Sequence, residues 1–142
     1  MRYAYPYDME PQPEGGFTVT FPDVPEAVTE GDTETEARER AEDALVTALS
    51  FYTDSGRSLP GPSPARGRPM ALVPALEAAK LALHEAMPAA GISNVELGRR
   101  LGLDVKAVRR LRDPLHRSHV GQMEGALRNL GKRLEVTVRD AT

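Results

Sequence analysis

The 142-residue chain contains no cysteine and no tryptophan, and aromatic residues make up only 5% of it. Without cysteine, it can form neither a disulfide nor a cysteine-ligated metal site. With so few large aromatic side chains, we expect two small cores of Leu, Val and Ala rather than one large core. No run of about 18 apolar residues is present, so no membrane-spanning helix is predicted. The first ten residues lack the apolar centre of a signal peptide, and we therefore expect a cytoplasmic protein.

Charge is distributed unevenly along the chain. Residues 1–58 contain 4 Lys or Arg and 13 Asp or Glu, a net charge of −9, whereas residues 59–142 contain 14 and 8, a net charge of +6. Together they give the −3 of the whole chain. A basic half suits a polyanion such as DNA, and an acidic half repels nucleic acid and attracts a basic protein. The two halves are therefore expected to have different partners.

Residues 92–112, ISNVELGRRLGLDVKAVRRLR, predict two short helices joined by a tight turn. Ser93 and Glu96 have the spacing of a capping box at the start of the first helix. Gly102 ends that helix, because glycine adopts the left-handed conformation at little cost, and Asp104 caps the second helix. This order is typical of a helix-turn-helix, whose second helix lies in the DNA major groove. The apolar residues expected to face inward are Val95, Leu97, Leu101, Leu103, Val108 and Leu111.

The outer face of these two helices is predicted to be basic, with seven Lys or Arg and two Asp over residues 99–117. A solvated basic face on an ordinary helical hairpin is the alternative, but the pattern favours DNA binding. Lys106 and Arg109 share a face near the start of the second helix and are the candidates for base edges. Phosphate contacts are predicted for Asn94, Arg99 and Arg117. The full set of predicted DNA-binding residues is Asn94, Arg99, Val105, Lys106, Arg109, Arg110 and Arg117, and Arg112 is also expected to point outward.

The first half of the chain has the pattern of a small sheet and one helix. Residues 2–7 and 17–21 alternate as strands do and predict a hairpin joined by a Pro/Gly/Glu connection. A short third strand is predicted over 27–30. Thr33 and Glu36 form a second capping box, from which alanines and leucines recur at helical spacing towards a stop at Gly56.

The rest of the chain is predicted as a loop, further helices and a terminal strand. Residues 58–69 hold four prolines and two glycines and predict a loop, after which 70–73 returns as a last strand. One helix is expected to begin at Pro74 and to carry Leu76, Ala79, Leu83 and Met87 on one face, before Pro88 and Gly91. Another is expected from a Ser118 cap to Gly131. Residues 133–139, RLEVTVR, alternate strictly and predict a half-buried strand that pairs with a second copy. A frayed tail is the alternative, and the dimerisation residues are Leu134, Val136 and Val138.

Two stretches carry a resemblance to a known family. GGFTVTFPDVPEAVTEGDTETEARERAEDAL resembles the N-terminal module of HicB-type antitoxins, and SNVELGRRLGLDVKAVRRL followed by ALRNLGKRLEV resembles the helix-turn-helix half of one branch of that family. The resemblance covers nearly the whole chain in the same order. It implies an α+β fold with a reduced ribonuclease-H-like module of strands and helix over residues 1–73. A helix-turn-helix domain with a terminal dimerisation strand would follow over residues 74–142.

The resemblance also implies a function. Such an antitoxin binds and blocks a small, basic, mRNA-cleaving toxin of the HicA type, and it represses its own operon by binding double-stranded operator DNA as a homodimer or higher oligomer. The acidic, partly apolar FPDVP turn becomes the candidate toxin contact on this basis. The chain departs from related helix-turn-helices at Asn94, where glutamine is usual, and at Gly98, where alanine is usual. The predicted toxin-binding residues are Phe21, Pro22, Asp23, Val24 and Glu26.

Two other functions are considered. A ligand-responsive transcription regulator without a toxin partner would need a pocket, for instance one lined by the N-terminal tyrosines. A metal-dependent nuclease would need Asp8, Asp23 and Asp32 to converge, but the last two are better explained as turn and cap residues. His116 and His119 have a spacing that could hold a metal on a helix, with no third ligand near. We predict that the protein is not an enzyme and that it has no catalytic residue, cofactor, metal or membrane partner.

Overall fold

The computed structural model describes residues 2–141. The chain forms two compact units, one ending at Pro74 and the other beginning at Ala75, which we call unit 1 and unit 2. The boundary predicted from the sequence lies between residues 73 and 74. Five strands and five helices are present over the described residues. The chain is therefore mixed α and β with small antiparallel sheets, as predicted, while the roles of the two halves stay predictions.

Unit 1 contains two small antiparallel sheets and one long helix. Its elements are β1 (Ala4–Pro6), β2 (Asp8–Pro11), β3 (Phe17–Thr20), β4 (Val28–Gly31), α1 (Glu34–Asp54) and β5 (Met70–Leu72). One sheet has the order β2-β3-β4, and the other pairs β1 with β5. The register places Asp8 opposite Thr20 and Ala4 opposite Leu72.

The predicted hairpin between residues 2–7 and 17–21 is wrong in its first strand. β3 pairs with β2, which the sequence analysis assigned to the connection because of its proline and glutamates. Pro11 is tolerated because it stands at the end of the strand, where few ladder hydrogen bonds are lost. The tyrosine-rich segment instead forms β1 and pairs with β5, so that Tyr3, Tyr5 and Tyr7 are all buried. The predicted third and last strands are confirmed as β4 and β5.

Helix α1 begins at the predicted cap. Thr33 accepts a hydrogen bond from the backbone N–H of Glu36 at 3.1 Å, and Gly56 beyond the helix has a φ of 69°. Ala37 lies close to β4, since a Cβ built on Gly31 would be 2.5 Å from the Ala37 nitrogen. A glycine and an alanine are therefore what allow the helix to pack directly on the outer strand. The buried residues of α1 include Ala37, Ala41, Leu45, Ala48 and Leu49.

The Pro/Gly-rich loop over 58–69 is held by hydrogen bonds to unit 1. The phenol of Tyr5 donates to the carbonyl of Pro60 at 2.8 Å. The Ser63 N–H donates to the Asp23 carboxylate at 2.8 Å, and the Ser63 hydroxyl also contacts that carboxylate. The loop has no regular secondary structure, as predicted, but these hydrogen bonds to residues far away in the sequence fix its path.

Unit 2 is helical. Its elements are α2 (Ala75–Ala90), α3 (Asn94–Leu101), α4 (Val105–Arg112) and α5 (Val120–Arg128). Of the two residues predicted to follow the α2 face, Pro88 lies inside the helix, and α2 ends at Ala90, directly before Gly91. A proline in the last turn interrupts little of the helical ladder. The predicted Ser118 cap is displaced by one residue, and His119 is the N-cap, with its N–H donating to the Gln122 side chain at 2.8 Å. The core contains Ala79, Leu83, Met87, Leu97, Val108, Leu111, Met123, Ala126 and Leu127.

The C-terminal segment does not form the predicted half-buried strand within the described chain. Residues 132–141 have no assigned secondary structure, and Leu134 packs partly buried against the core of unit 2. Val136 and Val138 are 67% and 91% exposed. A strand needs a hydrogen-bonded neighbour, and this segment has none among residues 2–141. Pairing with a second copy stays a prediction.

Gly98 gives a test of packing in unit 2. A Cβ at this position would lie 2.5 Å from the Leu103 carbonyl oxygen, so Gly98→Ala should lower the free energy of unfolding by about 1–3 kcal/mol. Gly125→Ala on α5 is the matched control. Nothing lies within 4 Å of its Cβ position, and the better helix propensity should stabilise by up to about 1 kcal/mol. Urea unfolding of both variants measures the difference, and stabilisation by both would contradict the close approach.

Candidate functional site

Helices α3 and α4 are joined by a turn whose geometry follows from local hydrogen bonds. Ser93 accepts from the Glu96 N–H at 3.1 Å and Asp104 from the Ala107 N–H at 2.7 Å, so both predicted N-caps are confirmed. Gly102 has the left-handed conformation, with a φ of 69°. The Leu103 N–H donates to the Gly98 carbonyl at 2.8 Å and closes the turn. These bonds fix the direction in which α4 leaves α3.

The apolar residues of the two helices divide differently from the prediction. Leu97, Val108 and Leu111 are buried as predicted. Val95 is 68% exposed and Leu103 is 38% exposed, so the inward position predicted for them is wrong. The backbone carbonyl of Leu103 lies directly beside Gly98 inside the turn.

Four of the predicted DNA-contacting cations are free at the surface. Lys106, Arg109, Arg110 and Arg117 are exposed, and their charged groups form no ion pair with any residue of the described chain (2–141). Val105, at the start of α4, is half-buried. Because these cations have no ion pair within the protein, they can bind an anion of a partner without first losing an internal contact. These four residues therefore contribute available positive charge to the surface formed by α4 and the segment that follows it.

Arg112 is not on the outer face, and the prediction that it points outward is wrong. One guanidinium nitrogen donates to Asn94 Oδ1 at 2.7 Å, and the other lies 2.8 Å from Nδ1 of the buried His84. Arginine cannot accept, so Nδ1 of His84 is the acceptor. Burial lowers the pKa of the Arg112 guanidinium from its usual value. Arg112 thus connects α4 to both α3 and α2. Its bond also engages the side-chain oxygen of Asn94, which is one of the predicted phosphate contacts.

Arg99, another predicted phosphate contact, is held by Glu96. Its guanidinium makes two hydrogen bonds to the carboxylate, at 2.7 and 2.9 Å, and Arg100 adds a third at 3.1 Å. These hydrogen bonds lower the pKa of Glu96 to about 2. The Arg99 side chain is nevertheless 71% exposed. A phosphate could reach it, but the carboxylate beside it would remain ionised and offset part of the attraction.

Lys80 is a structural determinant of this surface that the sequence analysis missed. It is fully buried, and its ammonium group donates to the Arg110 carbonyl at 2.7 Å, to the Leu111 carbonyl at 3.4 Å and to the Ser118 hydroxyl at 2.7 Å. Desolvation lowers the pKa of Lys80 from its usual value. The available signal was a lone lysine in the otherwise apolar central turns of α2. It holds the C-terminal end of α4, where helical carbonyls lack partners.

Unit 1 places the predicted toxin-binding residues in two different environments. Phe21 and Val24 are 2% and 0% exposed, so their side chains belong to the core of the unit. Pro22 is exposed, and half-buried Asp23 accepts from Ser63 of the Pro/Gly-rich loop. Glu26 is exposed and accepts from the Tyr52 phenol at 2.7 Å. The FPDVP turn therefore offers a partner mainly its polar and proline side chains.

The carboxylates considered for a nuclease do not converge. Asp8 pairs with Arg68 at 3.0 Å, Asp23 is engaged by Ser63, and Asp32 is exposed. Within residues 2–141, no group of three His, Cys, Asp or Glu side chains could hold a metal ion. The same described residues include no helix that is long and apolar enough to cross a membrane.

Comparison with known proteins identifies the family. A family model described as the HicB-like antitoxin of bacterial toxin–antitoxin systems matches residues 4–82. The chain is 41% identical over 136 residues to Antitoxin HicB 2 of Photorhabdus laumondii, covering 96% of this chain and 95% of the relative. The chain belongs to the HicB-like antitoxin family. It is 38% identical over 135 residues to Antitoxin HicB of Escherichia coli, covering 94% and 98% of the two chains, and 37% identical over 141 residues to that of Pseudomonas fluorescens, covering 98% and 96%.

The two kinds of match cover different parts of this HicB-like chain. The family model spans unit 1 from β1 onward and ends within α2. The curated antitoxins align over at least 94% of the chain, so their similarity reaches the α3–α4 pair as well. The resemblance to HicB-type antitoxins stated from the sequence motifs is thereby confirmed.

The contacts of Lys80 predict its contribution to stability. Lys80→Met keeps the apolar stem but removes the hydrogen bonds of the ammonium group to the Arg110 and Leu111 carbonyls and to the Ser118 hydroxyl. It should lower the free energy of unfolding by about 1–3 kcal/mol. Lys106→Met removes an exposed lysine from the same unit and should change it by no more than about 0.5 kcal/mol. Chemical denaturation compares the two variants. An equal effect at both positions would show that the ammonium group of Lys80 contributes nothing to stability.

Proposed function

We propose that this HicB-like antitoxin blocks a small, basic, mRNA-cleaving toxin of the HicA type through unit 1 and represses its own operon through unit 2. The observation that carries the proposal is the similarity of almost the whole chain to curated HicB antitoxins. The charge of the units supports it. Unit 1, residues 1–74, has 6 Lys or Arg and 13 Asp or Glu, a charge of −7, and residues 75–142 have 12 and 8, a charge of +4. Partners of opposite charge are expected for the two units.

For unit 1, we assign the toxin contact to the acidic surface that includes the FPDVP turn. Pro22, Asp23 and Glu26 supply the accessible side chains, while Phe21 and Val24 support the turn from the core. The antiparallel strands followed by α1 are compatible with the reduced ribonuclease-H-like module that the family resemblance implies. No catalysis is assigned to it.

For unit 2, we assign α3 and α4 to a helix-turn-helix with α4 as the recognition helix. Lys106 and Arg109 are exposed, unpaired and three residues apart on α4, which supports base contacts. Arg110 and Arg117 add unpaired positive charge for the phosphates. Asn94 and Arg99 stay candidates for phosphate contacts, although each already has a protein partner. The half-buried Val105 would contact DNA only through its outer edge.

We also assign dimerisation to the C-terminal segment. Val136 and Val138 are exposed on alternate residues, and a second copy of the segment would cover them by antiparallel strand pairing. Leu134 would anchor the segment to its own unit. A symmetric dimer of this kind binds two half-sites about 10 base pairs apart, or a multiple of that spacing.

A ligand-responsive regulator is the alternative function, but the burial of the N-terminal tyrosines argues against it. Tyr3, Tyr5 and Tyr7 are buried in unit 1, and the phenol of Tyr5 is bonded to the Pro60 carbonyl. Side chains held in this way fill a core and do not line an open ligand pocket.

Co-expression tests the antitoxin role. Expression of a short neighbouring reading frame that encodes a basic protein should arrest growth, and this chain should restore growth and co-purify with that protein. Lys106→Ala, in unit 2, should restore growth as well as the unaltered chain because its change lies outside the proposed toxin contact. Failure of the unaltered chain both to restore growth and to co-purify would contradict the antitoxin assignment.

Binding to the chain's own promoter tests the DNA assignment. Arg109→Ala should weaken operator binding by about 1–3 kcal/mol and relax the preference at one base pair. Arg99→Ala should weaken operator and scrambled DNA alike, and by less, because Glu96 already offsets the charge. Affinities on both DNAs and a footprint of the two half-sites provide the measurement. Equal losses on both DNAs for Arg109→Ala would contradict base reading, and no binding at low salt would contradict the repressor role.

A further inference from the structure

Unit 1 has a groove of about 260 Å³ between α1 and β4. Val28 of β4 and Phe51 of α1 line this β4–α1 groove, and they are 59% and 52% exposed. Between them lie smaller side chains, among them Ala44 and Thr47. β4 is the outer strand of its sheet, and no strand among residues 2–141 pairs with its other edge. Two large apolar side chains therefore face water in one concave place.

Carboxylates flank these apolar side chains. Glu26 and Asp43 line the same groove. The Tyr52 phenol donates to the Glu26 carboxylate at 2.7 Å and lowers the pKa of Glu26, which is therefore ionised at neutral pH. A guanidinium nitrogen of Arg57 lies 4.0 Å from the same carboxylate and offsets part of its charge. Asp43 forms no ion pair with any residue that the structure describes. The positive charge of Arg40, which also lines the groove, is offset by the Glu36 carboxylate 2.7 Å away.

The charge around the groove selects among possible occupants. Residues 26–57 carry nine Asp or Glu and three Arg, a net charge of −6. A second copy placed on this surface would oppose like charges, and nucleic acid would be repelled. An apolar side chain with Lys or Arg beside it would cover Val28 and Phe51 while its cations meet Glu26 and Asp43.

We propose that the β4–α1 groove is the surface on which the partner toxin docks an apolar side chain flanked by Lys or Arg. This inference rests on the antitoxin function proposed above and names the contact within unit 1. It moves the centre of the contact from the FPDVP turn to Phe51 and Asp43, with Glu26 shared by both surfaces. Exposed aromatic residues at the centre of an interface commonly dominate its affinity.

Calorimetric titration of the full chain with the toxin tests the groove. Phe51→Ser should weaken binding at least about tenfold, because it removes the central apolar contact. Asp43→Lys should also weaken binding, and its effect should shrink as salt rises, because salt screens exposed charges. Both side chains lie at the surface, and circular dichroism would establish that each variant is folded before the titration.

Two matched variants control for composition. Leu72→Ser removes a side chain 54% exposed in β5, outside the groove, and Glu14→Lys makes the same charge change in the turn between β2 and β3. Both should bind within about twofold of the unaltered chain.

The outcomes separate this inference from the proposed function. If the unaltered chain binds the toxin and both groove variants bind equally well, the groove assignment fails and the antitoxin role stands. If the unaltered chain does not bind, the antitoxin role itself fails. Altered sedimentation of Phe51→Ser alone, with unchanged toxin affinity, would assign the groove to a second copy and overturn the proposal.

Discussion

Lys80 places an ammonium group within 2.7 Å of the Arg110 carbonyl and of the Ser118 hydroxyl. It thereby ties α2 to the C-terminal end of α4 and to the segment that leads into α5. The Arg110 carbonyl also accepts from the backbone N–H of Asp113 at 3.3 Å, so Lys80 supplies a second and shorter bond at the helix end. A positive charge there interacts favourably with the helix dipole. Because α4 has only eight residues, holding its last turn determines the position of the whole helix. The exposed cations of α4 keep their direction for this reason.

Close backbone approach is the second constraint, and its tightest case in each unit involves a glycine. In unit 1, β4 meets α1 where Gly31 faces Ala37, and in unit 2, α3 meets the turn where Gly98 faces the Leu103 carbonyl. A Cβ at either glycine would lie 2.5 Å from a backbone atom, which requires the backbone to move. Gly98 is a poor helix former by about 1 kcal/mol compared with Ala. The close packing explains why the chain accepts that cost inside an eight-residue helix.

Contacts between residues close in sequence were easier to predict than contacts between distant residues, although the local cap of α5 is at His119 and not at the predicted Ser118. The caps at Thr33, Ser93 and Asp104 were predicted correctly because donor and acceptor lie three residues apart. The pairing of β1 with β5 and the bonds of Lys80 join residues about 30 or more positions apart, and periodicity carries no information about them. Strand β1 was consequently assigned to the wrong neighbour. The outward position predicted for Arg112 failed for the same reason.

Burial and ion pairing decide which predicted contact residues remain available to a partner. Phe21 and Val24 are in the core, and Arg99 is bound by a carboxylate that stays ionised. What remains differs in kind between the units. Unit 2 offers exposed, unpaired cations. Their attraction to a polyanion weakens as the salt concentration rises. Unit 1 offers carboxylates beside exposed apolar side chains, and burial of apolar surface is largely independent of screening. The two assigned interactions therefore respond differently to ionic strength.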